Sequence, residues 1–253
     1  MSEKYKERVT VVYQSCIAAG VYSIWLQTAQ IAAAAVPGQF VSVYSNNASR
    51  ILPRPISICE INKNSGMIRL VYRVVGEGTE EFSHLVPGDS VDIMGPLGNG
   101  FSLQEKSALL IGGGVGIAPL LYFGQEIVRM GAKPTFLLGA RSESDLLELE
   151  EFRKLGQVLI TTEDGSAGEQ GFVTNHSVLQ HERFDQISTC GPNPMMKAVA
   201  RVATELGMRC EASLENMMAC GVGACLCCVE KTTEGNLCVC KEGPVFDVKR
   251  LLW

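Results

Sequence analysis

The chain has 253 residues, 46% of them hydrophobic and 19% charged, and this balance excludes an intrinsically disordered protein. The formal net charge of −5 argues against a nucleic-acid partner, because binding to phosphates requires concentrated Lys and Arg. The N-terminal residues MSEKYKERVTVV contain no apolar signal-peptide core, which predicts a cytoplasmic protein with no membrane attachment. In that compartment thiols stay reduced, so ten cysteines indicate a metal site rather than disulfides.

The first hundred residues have the pattern of an antiparallel β-barrel. Short β-branched or aromatic runs are separated by turn signals such as Pro37-Gly38 and Pro87-Gly88-Asp89. The runs are RVTVVYQSCI, VYSIWLQTA, GQFVSVYS, MIRLVYRVV and DSVDIMG. Many short strands without a long helical period predict a barrel domain over residues 1–102.

After GPLGNGF, strands alternate with helices, which predicts an α/β domain with a parallel sheet over residues 103–211. The predicted strands are SALLIG, PTFLLGA, QVLITT and QISTCG. The predicted helices are Ala118 to Met130, ESDLLELEEFRKLG and PNPMMKAVARVATELGM, the last with an apolar stripe at Met195, Val199, Val202 and Leu206. Residues 212–253 form a small Cys-rich module, so the expected fold is multidomain α+β.

A glycine-rich loop follows the first strand of the α/β domain. In LLIGGGVGIAPL the glycines stand between a buried strand and a helix, where backbone N–H groups favour a pyrophosphate. The candidate dinucleotide contacts are Gly112, Gly113, Gly114, Val115 and Gly116. The segment TCGPNPMM ends a later strand and is expected to face the same crevice with Cys190, Gly191 and Pro192. A glycine turn that only connects two elements remains the alternative.

The barrel half contains a second candidate site, in RPISICE and VYRVVGEGTE. Arg54 is suited to hold a phosphate, Ser57 to bond a ring edge, and the Gly76–Thr79 turn to offer backbone donors. From these residues alone, a barrel strand with a proline at its start, followed by a glycine turn, is the favoured interpretation.

The tail is rich in thiols. The spacing Cys220-x4-Cys225-x2-Cys228 is that of plant-type 2Fe–2S ligand loops, and Cys240 is the candidate fourth ligand. Gly221 and Gly223 suit a loop whose amides turn inward toward the sulfurs. Cys227 and Cys238 are then spare. A zinc site with four thiolates is the competing interpretation, although zinc modules typically use two C-x2-C pairs.

These segments, in this order, resemble the ferredoxin-reductase superfamily, and in particular the electron-transfer subunits of NAD-dependent (class 1B) dihydroorotate dehydrogenases. The resemblance covers essentially the whole chain, and MACGVGACLCCV and CKEGPVFDVKRLLW carry it most specifically. It implies FAD across the barrel, NAD(H) on the α/β domain and a 2Fe–2S cluster on the four cysteines. The positions that match the family's FAD contacts are Arg54, Pro55, Ile56, Ser57, Val71, Tyr72, Arg73, Gly78 and Thr79.

The resemblance further implies an auxiliary subunit with no catalytic residue of its own, although Cys190 is expected near the nicotinamide. Electrons would pass from the FMN of a separate dihydroorotate-oxidising subunit through the cluster and FAD to NAD+, in a heterotetramer of two plus two. Two alternatives stay open: an NAD(P)H-linked flavin subunit of a bifurcating transhydrogenase or sulfhydrogenase, and a zinc-stabilised nucleotide-binding regulatory module.

Two positions depart from related reductases. Ile56 stands where many ferredoxin reductases have a tyrosine that stacks on the flavin. Arg141 and Ser142 stand where some relatives grip a 2′-phosphate, so the expected preference for NADH follows from the family and not from these residues.

Overall fold

The computed structural model describes residues 3–103 and 107–253; Met1 and Ser2 of the predicted barrel domain, and 104–106 of the predicted sheet domain, lie outside the described residues. The N-terminal strands are β1 (Tyr5–Ala18), β2 (Val21–Gln27), β3 (Phe40–Val43), β4 (Arg54–Asn62), β5 (Met67–Arg73) and β6 (Ser90–Leu97), with helices α1 (Ala29–Ala34) and α2 (Glu77–Ser83). The strands close into an antiparallel barrel in the order β1-β2-β5-β4-β3-β6. Alternation explains this: Val91 and Ile93 of β6 are buried while Ser90 and Asp92 are partly exposed. The predicted barrel is confirmed.

The central domain alternates strands and helices. Its strands are β7 (Ala108–Gly113), β8 (Thr135–Ala140), β9 (Gln157–Thr162), β10 (Glu169–Gln170), β11 (Gln186–Cys190) and β12 (Arg209–Ser213), and its helices are α3 (Ala118–Arg129), α4 (Leu149–Leu155), α5 (Val178–His181) and α6 (Asn193–Glu205). The tail adds β13 (Val229–Thr232), β14 (Gly235–Cys238), α7 (Val239–Glu242) and β15 (Val245–Asp247). The sheet runs β10-β9-β8-β7-β11-β12-β15 and is parallel from β10 to β12. Every residue of β7 and β11 is buried, as expected for a parallel sheet covered on both faces.

Helix α3 joins the barrel to the sheet. The Tyr122 hydroxyl donates to the carbonyl of Ala35 at 3.1 Å, and the Phe123 ring stacks on Phe101 with centroids 4.7 Å apart. Residues of α3 share one buried core with Val21 and Val71 of the barrel and with sheet residues. The two domains are therefore packed together along this helix, which fixes the crevice between them.

The Cys-rich tail shares its core with both other parts. Strand β15 pairs antiparallel with β12, and the backbone N–H of Asn99 donates to the carbonyl of Gly243 at 2.5 Å. Cys228 and Cys240 are buried in a core that also includes Phe40 of the barrel. The predicted boundary between 211 and 212 falls inside β12, so the tail does not fold around a separate core.

Two helix predictions were wrong in detail. The segment 143–156 was expected to be one helix, but α4 spans only Leu149–Leu155. Glu148 has a φ of 57°, which is outside the right-handed helical region, so a helix cannot continue through it and α4 begins at the next residue. The predicted stripe of α6 does pack on the core, with Val199 buried and Met195, Val202 and Leu206 partly buried, but it left out the buried Met196, Ala200 and Ala203, and Met195 also lines a cavity. Small alanines let the helix lie close to the sheet. Among the described residues, none of the helices combines the length and apolarity needed to cross a bilayer.

Candidate functional site

A cavity of about 540 Å³, the barrel cavity, lies where β4 and β5 meet the sheet domain. It is lined by eight of the nine residues predicted to contact FAD: Arg54, Pro55, Ile56, Ser57, Val71, Tyr72, Arg73 and Thr79. The Tyr72 hydroxyl donates to Gln14 Oε1 at 3.0 Å, and its ring packs against Tyr22 and Phe82, so this residue is held rigidly in the cavity wall. The lining follows the ends of β4 and β5, where the flavin nucleotide was expected.

The ninth predicted residue, Gly78, lies directly behind Arg54. A Cβ at position 78 would come within 2.5 Å of the Arg54 guanidinium, so glycine is what lets this arginine lie against the start of α2. The Thr79 hydroxyl accepts from the backbone N–H of Val75 at 2.9 Å and holds the turn in place. A fixed guanidinium beside backbone donors is chemistry that fits a pyrophosphate.

The barrel cavity also has a wall that the sequence did not predict. Leu214, Glu215, Asn216, Met217 and Met218 follow β12 and line it opposite the barrel strands. Glu215 is accessible from solvent, but the surrounding protein desolvates its carboxyl and raises its pKa. This wall ends two residues before Cys220, so the cavity and the cysteine loop are directly adjacent. The segment SLENMM follows the carboxyl end of a sheet strand, and this position could have predicted that it lines a ligand cavity.

A second cavity of about 510 Å³, the sheet cavity, lies over the carboxyl ends of β7, β8, β9 and β11. Of the residues predicted to contact NAD, Gly113, Gly114 and Pro192 line it. Arg73 lines both cavities, and Val115 lines the barrel cavity. A dinucleotide in the sheet cavity can therefore bring one end to the barrel cavity between Arg73 and the glycine loop.

The remaining predicted NAD residues, Gly112, Gly116, Cys190 and Gly191, lie beneath the cavity surface. A Cβ on Gly116 would come within 2.5 Å of the Gly191 Cα, so the two loops pack backbone against backbone. Cys190 is fully buried, and burial raises the pKa of its thiol well above the ordinary value, with a smaller effect from Glu215. These four residues lie under the cavity surface and let the loops after β7 and β11 pack closely against each other.

The far end of the sheet cavity was predicted only in part, through Arg141. Its lining includes Arg141, Asp145, Thr161, Glu163 and Phe172. Thr161 is fully buried and its hydroxyl has no hydrogen-bond partner among the described residues. An orphaned buried hydroxyl in a cavity wall fits a polar ligand. The rule that ligands bind at strand carboxyl ends would have pointed to these positions.

The four predicted cluster ligands come together in two pairs. The backbone N–H of Cys225 donates to Cys220 Sγ at 3.4 Å, and the backbone N–H of Cys240 donates to Cys228 Sγ at 3.4 Å. Gly221 and Gly223 have φ of 68° and 81°, and these left-handed residues turn the loop so that its amides face the sulfurs. Cys220 Sγ accepts from the N–H groups of Val222, Ala224 and Cys225 at 3.3–3.5 Å, and Cys240 Sγ accepts from Gly223 at 3.2 Å.

This donor set fits a 2Fe–2S cluster, in which each iron takes two thiolates. Burial alone would raise the pKa of Cys220, but the backbone N–H groups lower it to about 6, which favours the thiolate that a metal requires. In residues 3–103 and 107–253, no three His, Cys, Asp or Glu side chains converge closely enough to hold a single metal ion. Cys227 is exposed, while Cys238 is buried beside the group.

Three family models match consecutive parts of the chain. An oxidoreductase FAD-binding domain matches residues 9–101, an oxidoreductase NAD-binding domain matches 110–201, and the iron–sulfur cluster binding domain of dihydroorotate dehydrogenase B matches 215–252. The barrel cavity, the sheet cavity and the cysteine loop each fall mainly within the corresponding match.

Curated relatives match over nearly the whole chain. The electron transfer subunit of dihydroorotate dehydrogenase B (NAD(+)) from Listeria innocua is 42% identical over 93% of this chain and 94% of its own. The subunit of the same name from Fusobacterium nucleatum is 38% identical over 95% and 96%.

Solved structures share the fold. A chain of an NADH-dependent reduced ferredoxin–NADP oxidoreductase, studied for flavin-based electron bifurcation, superposes with a TM-score of 0.89 at 32% identity, covering 98% of this chain and 90% of that one. An Amycolatopsis cytochrome P450 reductase, at 23% identity and a TM-score of 0.70 over 81% of this chain and 67% of its own, shows the fold alone.

Proposed function

Because the chain belongs to the family of dihydroorotate dehydrogenase B electron transfer subunits, we propose that it carries electrons from a dihydroorotate-oxidising partner to NAD+. It is an NAD-linked flavin iron–sulfur oxidoreductase subunit. The single observation that carries this assignment is the adjacency of three sites. The barrel cavity joins the sheet cavity at Arg73, and its far wall leads within two residues to Cys220.

Bound FAD exchanges hydride with nicotinamide and single electrons with an iron–sulfur cluster. The protein's own residues hold and orient the groups. Arg54, with Gly78 and Thr79 behind it, would hold the flavin pyrophosphate, and the backbone of β4 and β5 would follow the rest of the nucleotide. Gly113, Gly114 and Pro192 would admit the dinucleotide close to the sheet. Cys220, Cys225, Cys228 and Cys240 would ligate the cluster. The three sites fall mainly within the expected ranges 1–102, 103–211 and 212–253, although β12 crosses the last boundary and the tail shares its core with the other two parts.

An exposed apolar patch beside the cysteine loop supports a protein partner on that face. Met217, Leu226 and Val222 are 85%, 64% and 40% exposed, and we call them the cluster-face patch. The backbone carbonyl of Met217 lies 3.6 Å from Cys227 Sγ, which connects the two sides of the patch. Large apolar side chains that stay exposed next to a redox centre mark an interface. The proposed occupant is the FMN-containing catalytic subunit, in a cytoplasmic heterotetramer of two plus two.

The test is reconstitution of the whole reaction. The chain is co-purified anaerobically with its partner from source cells, and NAD+ reduction is followed at 340 nm with dihydroorotate as the only reductant. Activity should require both subunits, and the isolated chain should contain FAD, two irons and two labile sulfides. The proposal would be overturned if the isolated chain were a colourless zinc protein, or if the complex did not oxidise dihydroorotate.

One observation favours a second candidate function. The chain superposes closely on part of a bifurcating NADH-dependent reduced ferredoxin–NADP oxidoreductase. If the co-purified complex reduces NADP+ with electrons from both NADH and reduced ferredoxin, and does not oxidise dihydroorotate, that function replaces the first. The lower identity, 32% against 42%, places it second.

A further inference from the structure

The two ends of the sheet cavity differ in what they face. Arg73, Gly114 and Pro192 form the end that adjoins the barrel cavity, while Arg141 and Glu163 follow β8 and β9 at the other end. If the nicotinamide of a bound dinucleotide meets the flavin at the barrel, the adenosine must lie over β8 and β9. This step rests on the proposed function.

The adenosine end contains one cation and two carboxylates. Arg141 Nε lies 3.1 Å from Asp145 Oδ2, and Glu163 lines the same wall. The cation is therefore paired at the mouth of the cavity, where the Arg141 side chain is 77% exposed and Asp145 is 31% exposed, and the formal charge of the three groups is negative.

Backbone hydrogen bonds hold these groups in position. The N–H of Glu163 donates to the carbonyl of Ala140 at 3.1 Å, and the N–H of Asp164 donates to the carbonyl of Arg141 at 3.2 Å. The N–H of Glu143 donates to Ser166 Oγ at 2.7 Å. Because the loops after β8 and β9 are bonded to each other, the backbones that carry Arg141, Asp145 and Glu163 are held together at this end of the cavity.

We propose that this site selects the 2′-hydroxyl of NAD(H) against the 2′-phosphate of NADP(H), with Asp145 as the residue that decides. A ribose hydroxyl can donate to a carboxylate, whereas a phosphate monoester carries about −1.5 to −2 charges at neutral pH and is repelled by two carboxylates. Arg141 is the group that would attract the phosphate, and Asp145 neutralises it. Arg141 therefore does not bind a 2′-phosphate in this chain, although it stands at the position where some related reductases bind one.

The experiment compares two ligands that differ only at the 2′-position. Isothermal titration calorimetry measures 5′-AMP and 2′,5′-ADP binding to the full chain with FAD and cluster bound. Wild type should prefer 5′-AMP. Asp145→Asn should shift the affinity ratio toward 2′,5′-ADP by about tenfold, because Arg141 is released and one repelling charge is lost. The NADPH-to-NADH ratio of kcat/KM for dye reduction should move in the same direction.

Two controls isolate the cause. Asp164→Asn removes the same charge one residue from Glu163, but Asp164 bonds Ser166 and does not line the cavity, so the ratio should stay within about twofold. Arg141→Gln/Asp145→Asn should not show the gain, because the cation that would bind the phosphate is gone.

Three outcomes overturn the inference. Wild type could bind both ligands equally, Asp145→Asn could leave the ratio within twofold of wild type, or the double variant could gain as much as the single one. Each would leave the nucleotide site and the proposed function standing. Failure of wild type to bind either ligand or NADH would instead remove the nucleotide site, and with it both proposals.

Discussion

At the scale of single residues, the cysteines of the tail have different surroundings although they look alike in sequence. Cys225 and Cys227 are exposed on the loop, whereas Cys228 and Cys240 are buried in the shared core. Among the described residues, the thiol of Cys227 donates to the carbonyl of Met217 at 3.6 Å and not to any of the four predicted ligands. Solvent exposure does not separate ligands from bystanders, since Cys225 and Cys227 are both exposed and Cys238 is buried like Cys228 and Cys240; the direction of the Cys227 thiol, toward Met217, is what distinguishes it.

Substituting the two exposed cysteines should give opposite results. Cys225→Ser removes one thiolate of the Cys220–Cys225 pair and should abolish the broad iron–sulfur absorbance and labile sulfide, while FAD stays bound because the barrel cavity is unchanged. Cys227→Ser should keep both cofactors. Visible spectra and iron and sulfide analysis of anaerobically purified protein measure this. Bleaching of the cluster in Cys227→Ser would show that the ligand set is wrong.

His176 is a buried titratable group away from the cofactor sites. Its Nδ1 accepts from the backbone N–H of Val178 at 3.0 Å, which requires the neutral ring. Burial lowers the pKa of His176 below its ordinary 6.5, although Glu169 opposes the shift. In the unfolded chain the ring binds a proton near pH 6.5, whereas the folded protein resists it until the pH is lower.

The free energy of unfolding should therefore fall as the pH is lowered through 6.5, and should be restored as the pH rises above it. His176→Asn keeps an acceptor for Val178 and should flatten the dependence between pH 7.5 and 6.0. His84→Gln, at an exposed position, should leave the dependence intact. Urea unfolding at each pH is the measurement, and an equal slope in wild type and His176→Asn would contradict the assignment.

At the scale of elements, a buried ion pair fixes how α4 meets the barrel. Arg69 of β5 donates from Nη1 to Glu148 Oε2 at 2.9 Å, and its Nε lies 3.0 Å from Glu60 Oε2. The side chains of Arg69 and Glu148 are only 9% and 10% exposed. Glu148 reaches this position with a φ of 57° immediately before the first residue of α4.

Glu148→Gln should lower the free energy of unfolding by about 2 kcal/mol, because a buried guanidinium loses one of its two carboxylates. Glu150→Gln is the matched control: its pair with Arg153 is exposed on the same helix, and the loss should stay within about 0.5 kcal/mol. Urea unfolding followed by fluorescence measures both. Equal, small effects would show that the pair does not join the domains.

The same contact explains why the sequence predicted some elements and not others. Strands of the barrel and sheet follow from local alternation and buried runs, and the glycine loop and the cysteine spacing are local too. The helix over 143–156 failed because Asp145 pairs with Arg141 and Glu148 with Arg69, and both partners lie outside the segment. At the far end of the sheet cavity the sequence pointed to Arg141 but not to Thr161, Glu163 or Phe172, because this wall is assembled from strand ends far apart in sequence.

At the scale of the whole molecule, the tail packs against both the sheet and the barrel. Strand β15 extends the sheet, while the loop at Gly221 packs on the barrel residues Ser42, Met94 and Leu97. The cysteine loop is therefore held between the barrel and solvent, and its outer face carries the cluster-face patch. A rigid loop with exposed apolar side chains is suited to bind a partner without rearranging.

Charged substitutions on this face should weaken binding of the partner and leave the NADH-dependent reaction of the isolated chain unchanged. Val222→Glu/Leu226→Glu changes two patch residues that do not line either cavity, so NADH-dependent dye reduction by the isolated chain should stay near wild type. Affinity for the catalytic subunit should fall at least about thirtyfold, because two apolar anchors are replaced by charges that must be desolvated. Met130→Glu, at an apolar residue 61% exposed beyond the end of α3, is the control and should bind normally. Biolayer interferometry with the partner immobilised, together with dihydroorotate-dependent NAD+ reduction, measures the difference; unchanged affinity in the double variant would place the interface elsewhere on the surface.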